Sequence, residues 1–200
     1  MKGMHPYTIN SDRLRVYIII GILSAILTPL ANKAVIQHLF SGLQPWVSAG
    51  PSFGLIYGVL FSIYNRLIWR WSWIGLIGLH TITNLSGRYN GKLISSYKGK
   101  TEIPLSLEIV QTWTKIIVYI RTGTDSSESY SYMASIFEVD DKSSQLTYTY
   151  TNQPFSAIAD ADMQPHDGTA RLVFRKDGSV IGTYFNARTR VGTIKLAMQS

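Results

Sequence analysis

The pattern of apolar and polar residues changes near residue 80. Before that point lie two long apolar runs without a charged residue, at 16–31 and 47–64. A helix that spans a bilayer needs about 20 mostly apolar residues. Each run nearly reaches that length and can be extended, the first to Ile36 and the second to Trp69. The pattern therefore predicts two transmembrane helices, and we interpret the first as an anchor because a secretory signal has a shorter apolar core.

After residue 84 the chain alternates in short runs rich in Tyr, Thr, Ile and Val, which favour strands. Turn-forming residues separate the runs. Eight strands are predicted, at 87–96, 103–112, 114–121, 130–139, 145–151, 169–176, 180–186 and 191–198. Eight successive antiparallel strands predict an up-and-down barrel, which leaves no free edge and can enclose one small ligand. The irregular segment 152–168 is interpreted as a loop over one mouth.

The expected fold is therefore a membrane protein in two parts. Residues 1–83 form a two-helix transmembrane module, which begins with a short polar lead over residues 1–12. Residues 84–200 form an all-β, lipocalin-like barrel of eight strands that can enclose one small ligand.

The charge is distributed unevenly between the two parts. The whole chain carries a formal charge of +7. Residues 1–83 contain six basic residues and one acidic residue, whereas 84–200 contain thirteen basic and eleven acidic residues. The basic residues of the first part flank the apolar runs, and cytoplasmic ends of transmembrane helices are enriched in Lys and Arg. Both termini and the barrel are therefore expected on the cytoplasmic side of the membrane, and the absence of cysteine is in keeping with a reducing compartment.

The second apolar run carries small residues at a four-residue spacing, at Gly50, Gly54, Gly58 and Ser62. Such a face allows close approach between helices in lipid. Two interpretations remain open: the face packs within the hairpin, or it mediates membrane assembly between copies of the chain.

The segment from Leu67 to Leu79 combines Trp69, Trp71 and Trp73 with two nearby arginines. Tryptophan and arginine are typical of the headgroup region. We interpret the segment as the interfacial end of the second helix. A third crossing at 74–82 is the alternative, and it would place the barrel outside the cell.

No constellation of catalytic residues is recognisable. The four histidines are scattered without metal-ligand spacing, and no glycine-rich phosphate loop is present. The one acidic cluster, Asp160 and Asp162 with His166 and Asp167, lacks the ligand order of a calcium loop and is interpreted as a solvated loop. We expect no enzymatic activity, no bound metal and no cofactor.

Aromatic and cationic residues on the strands suggest a ligand. Tyrosine rings can stack on bases and arginines can bind phosphate, so a small nucleotide suits such a barrel. In the run 146–151, Leu146, Tyr148 and Tyr150 share one face, which is the candidate interior. The predicted ligand-binding residues are Tyr89, Arg121, Tyr132, Tyr148, Tyr150, Arg171, Tyr184 and Arg190.

Two alternatives remain for these residues. Tyr89 follows Gly87 at the start of the barrel and either contacts the ligand or plugs the floor, as a Gly-x-Trp and Arg pair does in lipocalins. The barrel itself either binds a nucleotide or carries a small apolar molecule. The carrier hypothesis predicts a cavity lined by Leu, Ile and Phe with the arginines outside.

The chain resembles a known family in its order of two apolar helices followed by eight strands. It also shares a Ser-Gly-x-Tyr-x-Gly motif at 86–91 and a closing Gly-Thr-Ile-Lys-Leu at 192–196. The family is the bacterial CBASS antiphage effector CD-NTase-associated protein 15. The resemblance implies that the barrel binds a cyclic dinucleotide made by a partner CD-NTase. It also implies that the ligand-bound protein oligomerises and disrupts the inner membrane, which stops the infected cell. The resemblance transfers no individual ligand contact, and no nucleic-acid polymer is expected as a partner.

Overall fold

The computed structural model describes residues 3–10, 12–33, 45–71, 73–74, 82–96, 101–123, 127–140, 142–154 and 164–199, with 45–51 as backbone. The chain divides into two compact units. One unit is Ser11–Ile82, and the other combines Met1–Asn10 with Thr83–Ser200.

The first unit contains two helices, α1 over Leu14–Ala31 and α2 over Pro45–Arg66, followed by a 3₁₀ turn at Ile68–Arg70. Every fourth residue of α1 from Val16 to Thr28 is buried against its neighbours. The buried hydroxyls of Ser24 and Thr28 donate to main-chain oxygens one turn earlier, each at 2.7 Å, so no hydroxyl is buried without a partner there.

Both predicted helices form, and they differ in apolar character. Within the described ranges, α1 alone is long and apolar enough to cross a membrane. Its outward face carries large apolar side chains such as Ile22, Ile26 and Leu30, each more than half exposed. This finding favours membrane association through α1, and the crossing by α2 stays a prediction. The alternative third crossing falls mostly on residues 75–81, outside the described residues.

The second unit is a closed barrel of nine strands. Eight of them, β2 to β9, follow one another antiparallel, and β9 pairs with β2 to close the ring. In chain order the strands are β1 His5–Ile9, β2 Gly87–Ser95, β3 Thr101–Gln111, β4 Lys115–Thr122, β5 Ser127–Asp140, β6 Ser143–Pro154, β7 His166–Arg175, β8 Ser179–Asn186 and β9 Val191–Met198.

The predicted count of eight strands is wrong by one, because the polar lead contains β1. His5 and Pro6 pair antiparallel with β4, and Tyr7–Ile9 pairs parallel with β5. The strand fills the gap where β4 and β5 diverge. The first ten residues therefore belong to the β unit and not to the helical module. Five residues with one buried side chain, Tyr7, are too few to show a strand period.

One end of the barrel is closed by a buried polar cluster around Gln111. Its Oε1 accepts from the main-chain N–H of Leu85 at 2.8 Å. Its Nε2 donates to the Tyr7 hydroxyl at 3.1 Å and to the Thr83 carbonyl at 3.2 Å. The Tyr7 hydroxyl in turn donates to the main-chain oxygens of Thr112 and Trp113. The cluster thus joins β1 and the segment 83–85 to the β3–β4 turn.

Glycines in the strands let neighbouring backbones come close as the sheet curls. A Cβ at Gly91 would collide with the main-chain carbonyl of Lys195, and one at Gly182 with that of Arg171. The prediction of a barrel is therefore supported by residues that permit its curvature.

Candidate ligand-binding site

The interior of the barrel contains a cavity of about 370 Å³. It opens at the end that carries the β8–β9 turn, opposite to the Gln111 cluster. Pockets for drug-sized ligands usually measure about 300–1,000 Å³. The cavity is therefore large enough for a small molecule or for part of a larger one.

One side of the cavity is aliphatic. Strands β2, β3, β4 and β9 supply it, with Leu93, Ile103, Leu105, Ile120 and Ile194. These residues alternate with outward polar residues, as expected for one face of a strand. This side offers van der Waals contact and no hydrogen bond from its side chains.

The opposite side carries short polar side chains from β5 and β6. Asn152 donates through Nδ2 to the hydroxyls of Ser127 and Ser129, at 3.1 and 2.9 Å. Ser127 also shares a hydrogen bond of 2.7 Å with Thr122. The four side chains hold one another in place, so this wall is preorganised for a polar ligand group.

Three tyrosines from β6 and β8 extend the polar side inward. The Tyr184 hydroxyl shares a hydrogen bond of 2.7 Å with Ser95, and the rings of Tyr148 and Tyr150 are 6.0 Å apart. The Tyr148 hydroxyl is buried, and the structure gives it no hydrogen-bond partner. A buried polar group without a partner is costly, which sets Tyr148 apart from the other described tyrosines of the cavity wall.

Tyr148 and Tyr150 remain protonated at neutral pH. Burial raises the pKa of Tyr148 well above its usual value, and the neighbouring Tyr150 raises it further. Burial likewise raises the pKa of Tyr150, with a smaller contribution from Tyr184. Each hydroxyl is therefore available as a neutral donor or acceptor.

Two arginines lie at the mouth, on the β8–β9 turn. Arg188 and Arg190 line the cavity and are half-buried. The Asn186 Oδ1 accepts from the main-chain N–H of both, each at 3.1 Å, and Thr189 between them has a φ of 56°. Asparagine side chains commonly fix turns in this way.

His166 steadies the same turn from β7. Its Nε2 lies 3.0 Å from the Asn186 Nδ2, and its Nδ1 lies 3.0 Å from the Gln164 carbonyl. The hydrogen bonds assign the neutral tautomer with the proton on Nδ1, because the amide nitrogen of Asn186 can only donate. The two guanidinium groups are thus presented by a braced turn, and the described lining residues include no carboxylate.

Four of the eight predicted ligand residues line this cavity: Tyr148, Tyr150, Tyr184 and Arg190. Tyr89 lies at the closed end, where its hydroxyl donates to the Leu85 carbonyl at 3.0 Å and its ring meets Phe174 edge-on. This position agrees with the floor-plug interpretation of Tyr89.

The other three predicted residues, Arg121, Tyr132 and Arg171, lie on the outer face and are exposed. Arg121 lies between the inward Ile120 and Thr122, so its side chain points away from the cavity. The same alternation turns Arg171 outward. These three side chains do not reach the cavity.

The predicted set of ligand-binding residues leaves out Arg188 and the polar wall around Asn152. Asn152 follows Tyr148 and Tyr150 with a period of two, so the parity that identified the tyrosines also identifies it. Arg188 lies in a turn, where parity gives no direction.

The predicted acidic cluster gives no metal site in the described part of the chain. Asp160 and Asp162 lie outside the described residues. His166 contacts the Gln164 carbonyl and Asn186, and the described residues contain no group of three potential metal ligands.

The fold and the cavity define a class: a barrel receptor for a small polar molecule, attached to a unit with an apolar N-terminal helix. Residues 80–198 match the family model described as Cap15, cyclic dinucleotide receptor domain. This segment includes the eight strands β2 to β9. The chain therefore belongs to the Cap15 family, and the resemblance seen in the sequence is confirmed.

Two relatives carry the name CD-NTase-associated protein 15. The protein from Yersinia aleksiciae is 30% identical over 162 residues, which cover 80% of this chain and 73% of the relative. The protein from Escherichia albertii is 22% identical over 150 residues, which cover 70% of this chain and 75% of the relative. Both similarities are longer than the segment 80–198 that matches the family model.

Proposed function

We propose that this chain is an antiphage effector of a CBASS system. Its barrel binds a cyclic dinucleotide made by a partner CD-NTase. Binding promotes association between copies, which disrupts the bacterial inner membrane and causes death or growth arrest of the infected cell. The protein acts as a receptor and not as an enzyme.

The cavity supports the ligand-binding step. A cyclic dinucleotide combines flat bases, hydroxylated riboses and two phosphates. The barrel offers an aliphatic wall, neutral hydroxyl and amide groups, and two arginines at the mouth. Arginine binds phosphate oxygens through charge-assisted, often bidentate hydrogen bonds. The chemical groups of the cavity therefore match those of the ligand class, and this match carries the proposal.

The first unit supports the membrane step. The outward face of α1 is apolar, and Leu55 on α2 is 69% exposed. Such surface is buried in lipid or against other helices. With basic residues flanking the helices, we propose a two-pass anchor in the inner membrane with both termini and the barrel in the cytoplasm.

The small residues of α2 support the association step. A Cβ added at Gly54 or Gly58 meets no atom within 4 Å, and Ser62 is exposed. The described part of the helical unit therefore does not pack against these positions. For Gly50 the structure describes only the backbone. We propose that this face contacts a second copy, since confinement to a membrane raises the local concentration of barrels.

The proposal is tested by expressing the full chain in bacteria and supplying a panel of cyclic dinucleotides with each base and linkage. We expect at least one member to raise membrane permeability to a dye. Arg190→Ala should abolish the response, whereas Arg171→Ala, which removes an outward arginine, should retain it. If no member of the panel causes leakage in cells that contain the protein, the effector proposal is wrong.

The aliphatic wall supports a second candidate, a membrane-tethered carrier of a small apolar ligand. That hypothesis expects the arginines outside, whereas Arg188 and Arg190 line the cavity. A calorimetric titration separates the two: a carrier binds an apolar probe such as a fatty acid and no cyclic dinucleotide.

A further inference from the structure

The positive charges of the cavity are confined to its mouth. Among the described lining residues, Arg188 and Arg190 are the two that carry a permanent charge, and both lie on the turn at 187–190. Below them the wall consists of aliphatic residues, tyrosines, serines and Asn152. A phosphodiester inside the barrel would lose water without gaining a cation, which is strongly unfavourable.

The size of the cavity limits how much of the ligand can enter. At about 370 Å³ it lies near the lower end of the range for drug-sized ligands. A cyclic dinucleotide has two bases, two riboses and two phosphates and is larger than such ligands. The bases of a cyclic dinucleotide project from a common sugar-phosphate ring, so fixing the ring at the mouth leaves room for one base inside.

We propose that the cavity takes one base of the cyclic dinucleotide, with the phosphates on Arg188 and Arg190 and the second base outside the barrel. This inference rests on the proposed function. It adds that the barrel recognises one of the two bases of the ligand. The phosphate contacts determine affinity, and the inserted base determines specificity.

The residues that read the inserted base are those with unused hydrogen-bonding capacity. The Tyr148 hydroxyl is buried deep in the wall and has no partner in the structure. The Asn152 Nδ2 donates to the hydroxyls of Ser127 and Ser129. These hydrogen bonds orient the amide, so its oxygen is an acceptor in a fixed position. The aliphatic side chains of Leu93 and Ile120 line the same cavity and can contact the face of a planar ring.

The test is a calorimetric titration of the full chain in detergent with cyclic dinucleotides that contain all pairings of adenine, guanine, cytosine and uracil. We expect affinity to follow one base. Members that contain this base should bind within about threefold of one another, and members that lack it should bind at least about tenfold more weakly.

Two variants separate the roles of mouth and interior. Arg188→Ala should weaken every member by a similar factor and flatten the salt dependence, because it removes a phosphate contact. Tyr148→Phe should weaken mainly the members that contain the preferred base. The Tyr148→Phe variant should retain its thermal stability, because the hydroxyl group that the substitution removes has no hydrogen-bond partner in the structure. Arg171→Ala serves as the control for loss of an outward positive charge.

Two outcomes overturn the inference in different ways. If tight binding requires both bases to be specified, the ligand enters as a whole and the inference fails, while the proposed function stands. If no member binds, the proposed function itself fails, and the inference fails with it.

Discussion

Replacing Gln111 with leucine should loosen the closed end of the barrel. Gln111 is fully buried, and its side chain forms hydrogen bonds with Leu85, Tyr7 and Thr83. Leucine has a similar volume but offers neither donor nor acceptor. The substitution therefore removes the polar contacts without creating a large cavity.

The expected cost follows from the groups left without a partner. The Leu85 N–H is buried and loses its acceptor, while the Thr83 carbonyl is part-buried. The Tyr7 hydroxyl keeps the carbonyls of Thr112 and Trp113. A buried polar group left unsatisfied costs about 1–3 kcal/mol, so one full and one partial loss amount to about 2–4 kcal/mol.

This loss is measurable by heating the full chain in a non-ionic detergent while following the strand signal by circular dichroism. A change of 1 kcal/mol shifts the midpoint by about 4 °C for a unit of this size, so Gln111→Leu should lower it by about 8–16 °C. Gln145→Leu is the matched control. Gln145 lies half-buried on the outer face of β6, where its Nε2 donates to the Thr147 hydroxyl at 3.4 Å.

A midpoint for Gln111→Leu within about 2 °C of the control would refute this reasoning. It would mean that water or main-chain rearrangement satisfies the Leu85 N–H, so that the hydrogen bonds of Gln111 contribute little.

Three further predictions concern the barrel walls, the buried tyrosines and the helices. Gly91→Ala should cost at least about 2 kcal/mol in urea denaturation, because its Cβ meets main-chain atoms that cannot move aside, whereas Gly3→Ala, in open space, should be neutral. Burial raises the pKa of Tyr150, so its contribution is present below the unfolded pKa of about 10 and is lost as pH rises towards the folded pKa. Stability should therefore fall above about pH 10, by about 1.4 kcal/mol per pH unit for each such tyrosine, and less steeply in Tyr150→Phe. Gly54→Leu and Gly58→Leu should retain cyclic dinucleotide affinity but reduce cell killing, and unchanged killing would remove this face from the assembly.

Parity along the strands predicted which side chains of β6 face the interior of the barrel. In β6 the apolar Leu146 identifies the inner face, and Tyr148 and Tyr150 follow it at a period of two. The same rule fails in β4, where Ile116, Ile117 and Val118 are all buried. Without alternation of apolar and polar residues, the sequence gives no face for Arg121.

Irregular backbone explains the other differences between prediction and structure. A bulge between Ser131 and Met133 shifts the register of β5, and Tyr132 lies at that bulge on the outer surface. Arg188 is positioned by the turn that the Asn186 side chain fixes. The geometry of the main chain sets this position, and the two-residue period of a strand does not predict it. The strand β1 pairs with residues more than 100 positions away, so no local pattern reveals it.

The two ends of the β unit have different roles because of how the strands connect. Asn10 and Thr83, through which the chain continues to the helices, line a polar recess together with Lys142 and Lys176. Those lysines lie on the β5–β6 and β7–β8 turns, at the opposite end from Arg188. The connecting segments and the arginines of the mouth turn therefore lie at opposite ends of the β unit. Because Phe185 and Val191 pair beside the mouth turn and are each more than half exposed, a base left outside the barrel would lie next to apolar surface.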